Sequence, residues 1–84
     1  MTYRVFVLPR ARKEIDNLPR QEVVAIEDKI ESLHEDPRPV GCKKLAGREG
    51  WRIRSGNYRI LYKIDDRART VIVDHVGHRS DVYR

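Results

Sequence analysis

One cysteine, one methionine, one tryptophan and one phenylalanine stand in 84 residues, and no apolar run approaches the length of a membrane span. Each scarcity excludes a class of protein. A single thiol, Cys42, allows neither an internal disulfide framework nor a cysteine-rich zinc site. Membrane helices need roughly 18 consecutive apolar residues, and the amino terminus lacks the pattern of a secretory signal, so the cytoplasm is the expected compartment and no membrane partner is expected. No acidic pair has metal-ligand spacing, so neither a metal nor a cofactor is expected. Internal repeats, linkers and low-complexity tracts are missing as well, and residues 1–84 are expected to form one small domain. A domain of this size buries only about 60 to 65% of its unfolded surface, so a binding partner would add usefully to its stability.

Charge, by contrast, is abundant and unevenly placed. Lys and Arg number 18 against 13 Asp and Glu, a net charge of +5. Residues 20–36 carry six acids against two bases, whereas residues 43–84 carry eleven bases against five acids. This split suggests an anion-binding face in the carboxy-terminal half, opposite a solvated acidic one. Thirteen of the 18 bases are arginine, whose planar, permanently charged fork suits phosphate, and this skew points to nucleic acid.

The apolar pattern predicts an α+β fold: an amino-terminal strand, a helical hairpin, then an antiparallel three-stranded meander joining one sheet. Tyr3 to Leu8 is β-branched and aromatic and stops at Pro9, a first-turn helix residue. Ala11, Ile15 and Leu18 share one helical face, and Val23, Ile26, Ile30 and Leu33 repeat the period in a second helix expected from Arg20 to Glu35. Proline and glycine then predict a loop from Asp36 through Lys43 and Lys44 toward Gly50. Three strands are expected after it, at Trp51–Arg54, Tyr58–Ile64 and Thr70–Val76.

Cross-strand partners share a face, so turn length decides which side chains stand together. With Gly56-Asn57 as a two-residue turn, Arg54 opposes Arg59, Ile53 opposes Ile60, Arg52 opposes Leu61 and Trp51 opposes Tyr62. Trp51, Ile53, Ile60 and Tyr62 then face the helices, and Arg52, Arg54, Arg59 and Lys63 share the other side. A three-residue turn would drive arginines into the core at several kcal/mol per unpaired charge, on the order of the buried-ion penalty. The accepted register sets Arg54 against Arg59, a repulsion of roughly 0.2 to 1 kcal/mol that a polyanion would relieve.

Nucleophilic triads have no support, because Cys42 lies in a loop and Ser32, Ser55 and Ser80 sit in no motif. His34 reads as a helix-terminus residue, His75 as core or edge, and His78, beside Arg79, as a residue able to move protons. An RNA strand carries its own nucleophile, the 2′-hydroxyl. A protein acting on it must align that group, neutralise charge on the phosphoryl oxygens and assist proton transfer. Arginines serve the second task, but with a pKa above about 12 they cannot act as bases. An aromatic such as Tyr83 can stack on an unpaired base.

In order, the chain presents Lys44-Leu45 and Gly47, Trp51-Arg52-Ile53-Arg54, Gly56, Tyr58-Arg59-Ile60-Leu61-Tyr62, Val76-Gly77-His78-Arg79 and Val82-Tyr83-Arg84. This series resembles the RelE-type toxins of the RelE/ParE toxin-antitoxin superfamily, most specifically from Lys43 onward. The resemblance implies a type II toxin that cuts mRNA in the ribosomal decoding site without metal. Arg59 and Arg79 match arginines that hold the scissile phosphate, Tyr83 a substrate-orienting tyrosine, and Arg52 a position where some members carry a catalytic lysine. Gly50 replaces a second lysine of those members. Lys44, Arg54, Lys63 and His78 are the expected further RNA contacts, with Lys44, His78 or ribosomal RNA as alternatives for the proton acceptor. The implied partners are a RelB-like antitoxin, the 70S ribosome and mRNA, with DNA reached only through the antitoxin complex. Two alternatives stay open from the sequence: a ParE-type inhibitor of DNA gyrase, and a non-catalytic antitoxin-binding relative.

Overall fold

The computed structural model describes residues 2–79, which run β1 (Arg4–Val7), α1 (Pro9–Asp16), α2 (Arg20–Ser32), β2 (Lys43–Lys44), β3 (Trp51–Ser55), β4 (Tyr58–Asp65) and β5 (Thr70–His78). Five strands form one sheet in the order β1-β5-β4-β3-β2. The three-stranded meander lies in its middle. β1 joins parallel to β5, with Phe6 opposite Ile72, and the connection between them, through α1, α2, β2, β3 and β4, is far longer than the dozen residues a parallel pair requires.

Pro9 occupies the first turn of α1, where its missing N–H is not needed. Ala11 and Ile15 from α1, and Ile26 and Ile30 from α2, pack with Leu33 onto Ile53, Ile60, Tyr62, Val71, Val73 and Val76 of the sheet. Both helices therefore cover one face only. α2 stops at Ser32 rather than Glu35, since Leu33 and His34 already turn back to Ile30 and Glu31 through i→i−3 bonds that tighten the chain out of the helix. The acidic outer face of α2 is also less idle than a purely solvated one, because Glu27 accepts a 2.6 Å bond from Arg12 and ties α2 to α1.

The β3–β4 register is the one that the two-residue turn demands, from Ser55↔Tyr58 to Trp51↔Tyr62. Gly56 takes φ +59 at the first turn position, the conformation that a type II′ hairpin reserves for glycine. The expected loop before β3 needs correction at one point. Lys43 and Lys44 pair antiparallel with Arg52 and Trp51 and form a short edge strand. Two consecutive lysines give no period to read, so this strand is invisible to pattern alone.

A polar brace holds the segment that delivers this edge strand. Arg38 places both Nη atoms on Asp66, at 3.1 and 2.8 Å, and its guanidinium lies 5.1 Å from the Trp51 ring centroid. The Tyr3 hydroxyl donates to the same carboxylate at 2.7 Å. Bonding from Arg38, then from Tyr3, lowers the Asp66 pKa to about 2. A carboxylate depressed in the folded state adds stability that is complete above its unfolded value, near 3.8, and is lost as pH falls through about 2. Melting temperature measured against pH is therefore expected to drop between about pH 4 and 2, and to drop less in Asp66→Asn. Equal slopes in the two proteins would remove Asp66 from the acid response.

Candidate nucleic-acid interface

Strand alternation decides which bases meet. Arg52 and Arg54 on β3 and Arg59, Leu61 and Lys63 on β4 point away from the helices, because their neighbours Ile53, Ile60 and Tyr62 are buried against them. Arg54 stands directly opposite Arg59. A groove of about 320 Å³ opens beside them, lined by Gly41, Lys43, Arg52 and Arg54. None of Lys43, Arg52 and Arg54 makes an ion pair among the described residues, so this charge is available to a ligand. Asp74 is neutralised separately, by Arg48 at 3.3 Å.

Arg59 is half-buried and its direction is fixed. Its Nη1 donates to the backbone carbonyl of Arg79 at 2.9 Å, and the Arg79 N–H returns to Asn57 at 2.8 Å. The end of β5 is thus laced to the β3–β4 hairpin beside the Arg59 guanidinium. Arg79 itself is exposed.

Three expected contacts fall elsewhere. Lys44 opposes Trp51 and shares its side of the sheet, so Lys43, opposite Arg52, is the lysine that joins the arginines. Register identifies it, and register was hidden together with the strand. His78 opposes Tyr58, with the two rings edge-on at 5.7 Å, which puts it across the sheet from Arg59. Lys63 keeps the arginine side but stands four residues from Arg59, roughly 13 Å along the strand. Between them Leu45 folds over Leu61, and this small apolar cluster divides the basic face. Tyr83 lies outside the described residues.

Gly50 explains its own departure from the lysine-bearing pattern. Its φ is +129, and a Cβ there would stand 3.1 Å from the Tyr62 carbonyl oxygen and 3.2 Å from Leu45 Cδ1. A side chain there would be strained by the backbone angle and would press the Tyr62 carbonyl and Leu45 aside by a few tenths of an ångström. Gly50→Lys is expected to cost about 1 to 3 kcal/mol, a fall in Tm of at least about 4 °C. Thermal melting checks this; an unchanged Tm would refute the steric account.

No group of three or more His, Cys, Asp or Glu among the described residues could hold a metal ion, and no described helix is long and apolar enough to cross a membrane.

Comparison with known proteins places this geometry. Residues 5–83 match the family model of the ParE toxin of the type II toxin-antitoxin system parDE. Toxin RelG of Mycobacterium tuberculosis is 38% identical over 88 aligned positions, covering 100% of this chain and 99% of that one. The toxin-antitoxin complex RelBE2 of M. tuberculosis contains a chain with TM-score 0.83 and 30% identity, covering 94% of this chain and 100% of its own. A mutant of E. coli toxin RelE in the free state gives TM-score 0.79 and 32% identity, covering 99% and 92%. A family match across nearly the whole sequence, together with relatives at 30% identity or more covered almost end to end, means that this chain belongs to the RelE/ParE toxins of type II toxin-antitoxin systems, as a RelE-type member.

Proposed function

We propose that the protein is a ribosome-dependent endoribonuclease that cleaves mRNA by attack of the RNA's own 2′-hydroxyl. The observation that carries this reading is Arg59, opposed by Arg54 and bonded to the Arg79 backbone, beside a groove lined by Lys43 and Arg52. Such a cluster is suited to a phosphodiester in transit. The 2′-oxygen forms a bond to phosphorus, the bond to the 5′-oxygen breaks, and negative charge rises on the non-bridging oxygens. Arg59 and Arg79 neutralise that charge, with Arg52, Arg54 and Lys43 holding the flanking backbone.

Proton transfer supports the ribosome's part. Arginines are too basic to accept the 2′-hydroxyl proton, and Lys44 and His78 lie on the other side of the sheet from Arg59. The programmed ribosome supplies the acceptor and the leaving-group proton, and the toxin supplies alignment and charge.

A RelB-like antitoxin restrains this surface. The related structures from M. tuberculosis and E. coli include RelE-type toxins bound to their antitoxins. An acidic amphipathic segment fits a chain of net charge +5 and would add buried surface to a small domain. DNA is reached through the antitoxin.

Primer extension on a message translated in a cell-free system tests the reading. Codon-register cuts that need ribosomes are expected. An intact message at high toxin, with cleaved-DNA complexes appearing on purified gyrase instead, would replace it with the ParE-type activity that the family-model match also allows.

A further inference from the structure

Glu14, on α1, is no part of the basic cluster, yet its carboxylate is built into the strand on which that cluster ends. Oε1 accepts the Val76 N–H at 2.8 Å, and His75 Nδ1 lies 2.9 Å from Oε1 and 2.7 Å from Oε2. A carboxylate only accepts, so Nδ1 carries the hydrogen. The place of this contact matters. β1 accompanies β5 only as far as Val73, the last bond running from Leu8 N–H to the Val73 carbonyl. Beyond it the outer edge of β5 has no strand beside it among the described residues, and the pairing with β4 is interrupted there by a bulge between Leu61 and Tyr62. Glu14 supplies the acceptor that the missing strand would have offered. Three residues later Arg79 bonds Asn57 and receives Arg59.

We infer that Glu14 is a positioning residue for the phosphate-contacting end of β5: by holding His75 and Val76 it keeps Gly77, His78 and Arg79 in register beside Arg59. The inference rests on the reading of Arg59 and Arg79 as phosphate contacts. Removing the carboxylate leaves the Val76 N–H without its acceptor at a bulged, one-sided stretch of strand, the kind of site that opens locally before the domain unfolds. Phosphoryl transfer tolerates little of this, since a misplacement of about 1 Å can cost about 100-fold in rate.

The test is steady-state message cleavage on programmed ribosomes, with exchange of the Val76 amide hydrogen followed in parallel. Glu14→Ala is expected to lower kcat at least tenfold, on the order of a sub-ångström shift, to leave KM for programmed ribosomes within about twofold, and to speed Val76 exchange. Glu14→Gln retains an acceptor oxygen and should keep Val76 protected and kcat within about threefold. Arg12→Ala, which breaks the α1–α2 bond to Glu27 and the pairing with Asp16, should lower Tm and spare kcat. Wild-type kcat in Glu14→Ala, loss in Glu14→Gln as deep as in Glu14→Ala, or loss in Arg12→Ala equal to that in Glu14→Ala would each overturn the inference. Should Glu14→Ala fail to fold, Glu14→Asp, which withdraws the carboxylate while keeping its charge, takes its place under the same criteria. Arg59→Ala and Arg79→Ala run alongside: wild-type cleavage by both would sink the underlying reading, whereas their failure beside an unimpaired Glu14→Ala sinks only the role of Glu14.

Discussion

Arg59→Ala is expected to slow cleavage of ribosome-bound message by about 10² to 10³-fold, the cost typical of deleting one preorganised donor to transition-state charge. Preorganisation is the reason for so large a value. The guanidinium is half-buried, and its Nη1 is anchored on the Arg79 carbonyl, so little is spent on reorienting it as charge develops. Arg59→Lys keeps one positive charge but loses the planar fork, and should recover only a small part of the rate. Arg54→Ala is the contrasting case. It removes the cation facing Arg59, so it should weaken RNA binding while leaving stability unchanged or raising it by the roughly 0.2 to 1 kcal/mol of relieved repulsion. Primer extension and thermal melting on the three variants separate these outcomes. Cleavage by Arg59→Ala within about threefold of wild type would mean that this guanidinium does not face the reacting phosphate.

The pairing of Arg54 with Arg59 was legible in the sequence because a two-residue turn and a strict alternation leave one register that buries Trp51, Ile53, Ile60 and Tyr62 together. A misplaced arginine in that core would cost more than any local preference could offset. The helical faces were legible for the same reason, through Ala11, Ile15, Ile26 and Ile30. What escaped was local and polar. β2 has two lysines and no apolar period, so the exchange of Lys43 for Lys44 on the arginine side depends on a register that no pattern reveals. His78 lies next to Arg79 in sequence, but adjacent strand residues face opposite ways, and the edge-on contact with Tyr58 holds it there. Leu61 fell on the basic side by alternation, and only the fold of the 45–50 segment shows that Leu45 covers it and divides Lys63 from Arg59. Glu14 gave no signal of this role, because its partners on β5, a backbone N–H and a histidine, lie more than sixty residues away.

Tyr62→Ala carries the largest expected loss of stability, about 3 to 5 kcal/mol by analogy with other large-to-small aromatic replacements in cores. Tyr62 is 1% exposed at the centre of the sheet, among the residues that the helices cover. Its hydroxyl donates to the Pro37 carbonyl at 2.7 Å, and burial pushes the phenol pKa far above its ordinary value. One side chain therefore fills the core and pins the 36–42 segment that delivers Lys43 to the edge of β3. For a domain of this size each kcal/mol shifts Tm by roughly 4 to 8 °C, so Tyr62→Ala should melt at least about 12 °C below wild type. Tyr62→Phe keeps the ring and strands the Pro37 carbonyl, which should cost about 1 to 3 kcal/mol. The two variants separate packing from tethering: if the tether positions Lys43, folded Tyr62→Phe should bind single-stranded RNA more weakly and with a shallower salt dependence than wild type. A Tyr62→Phe protein with unchanged Tm and unchanged salt slope would show that packing alone fixes this segment, and that the hydroxyl contributes nothing to the basic groove.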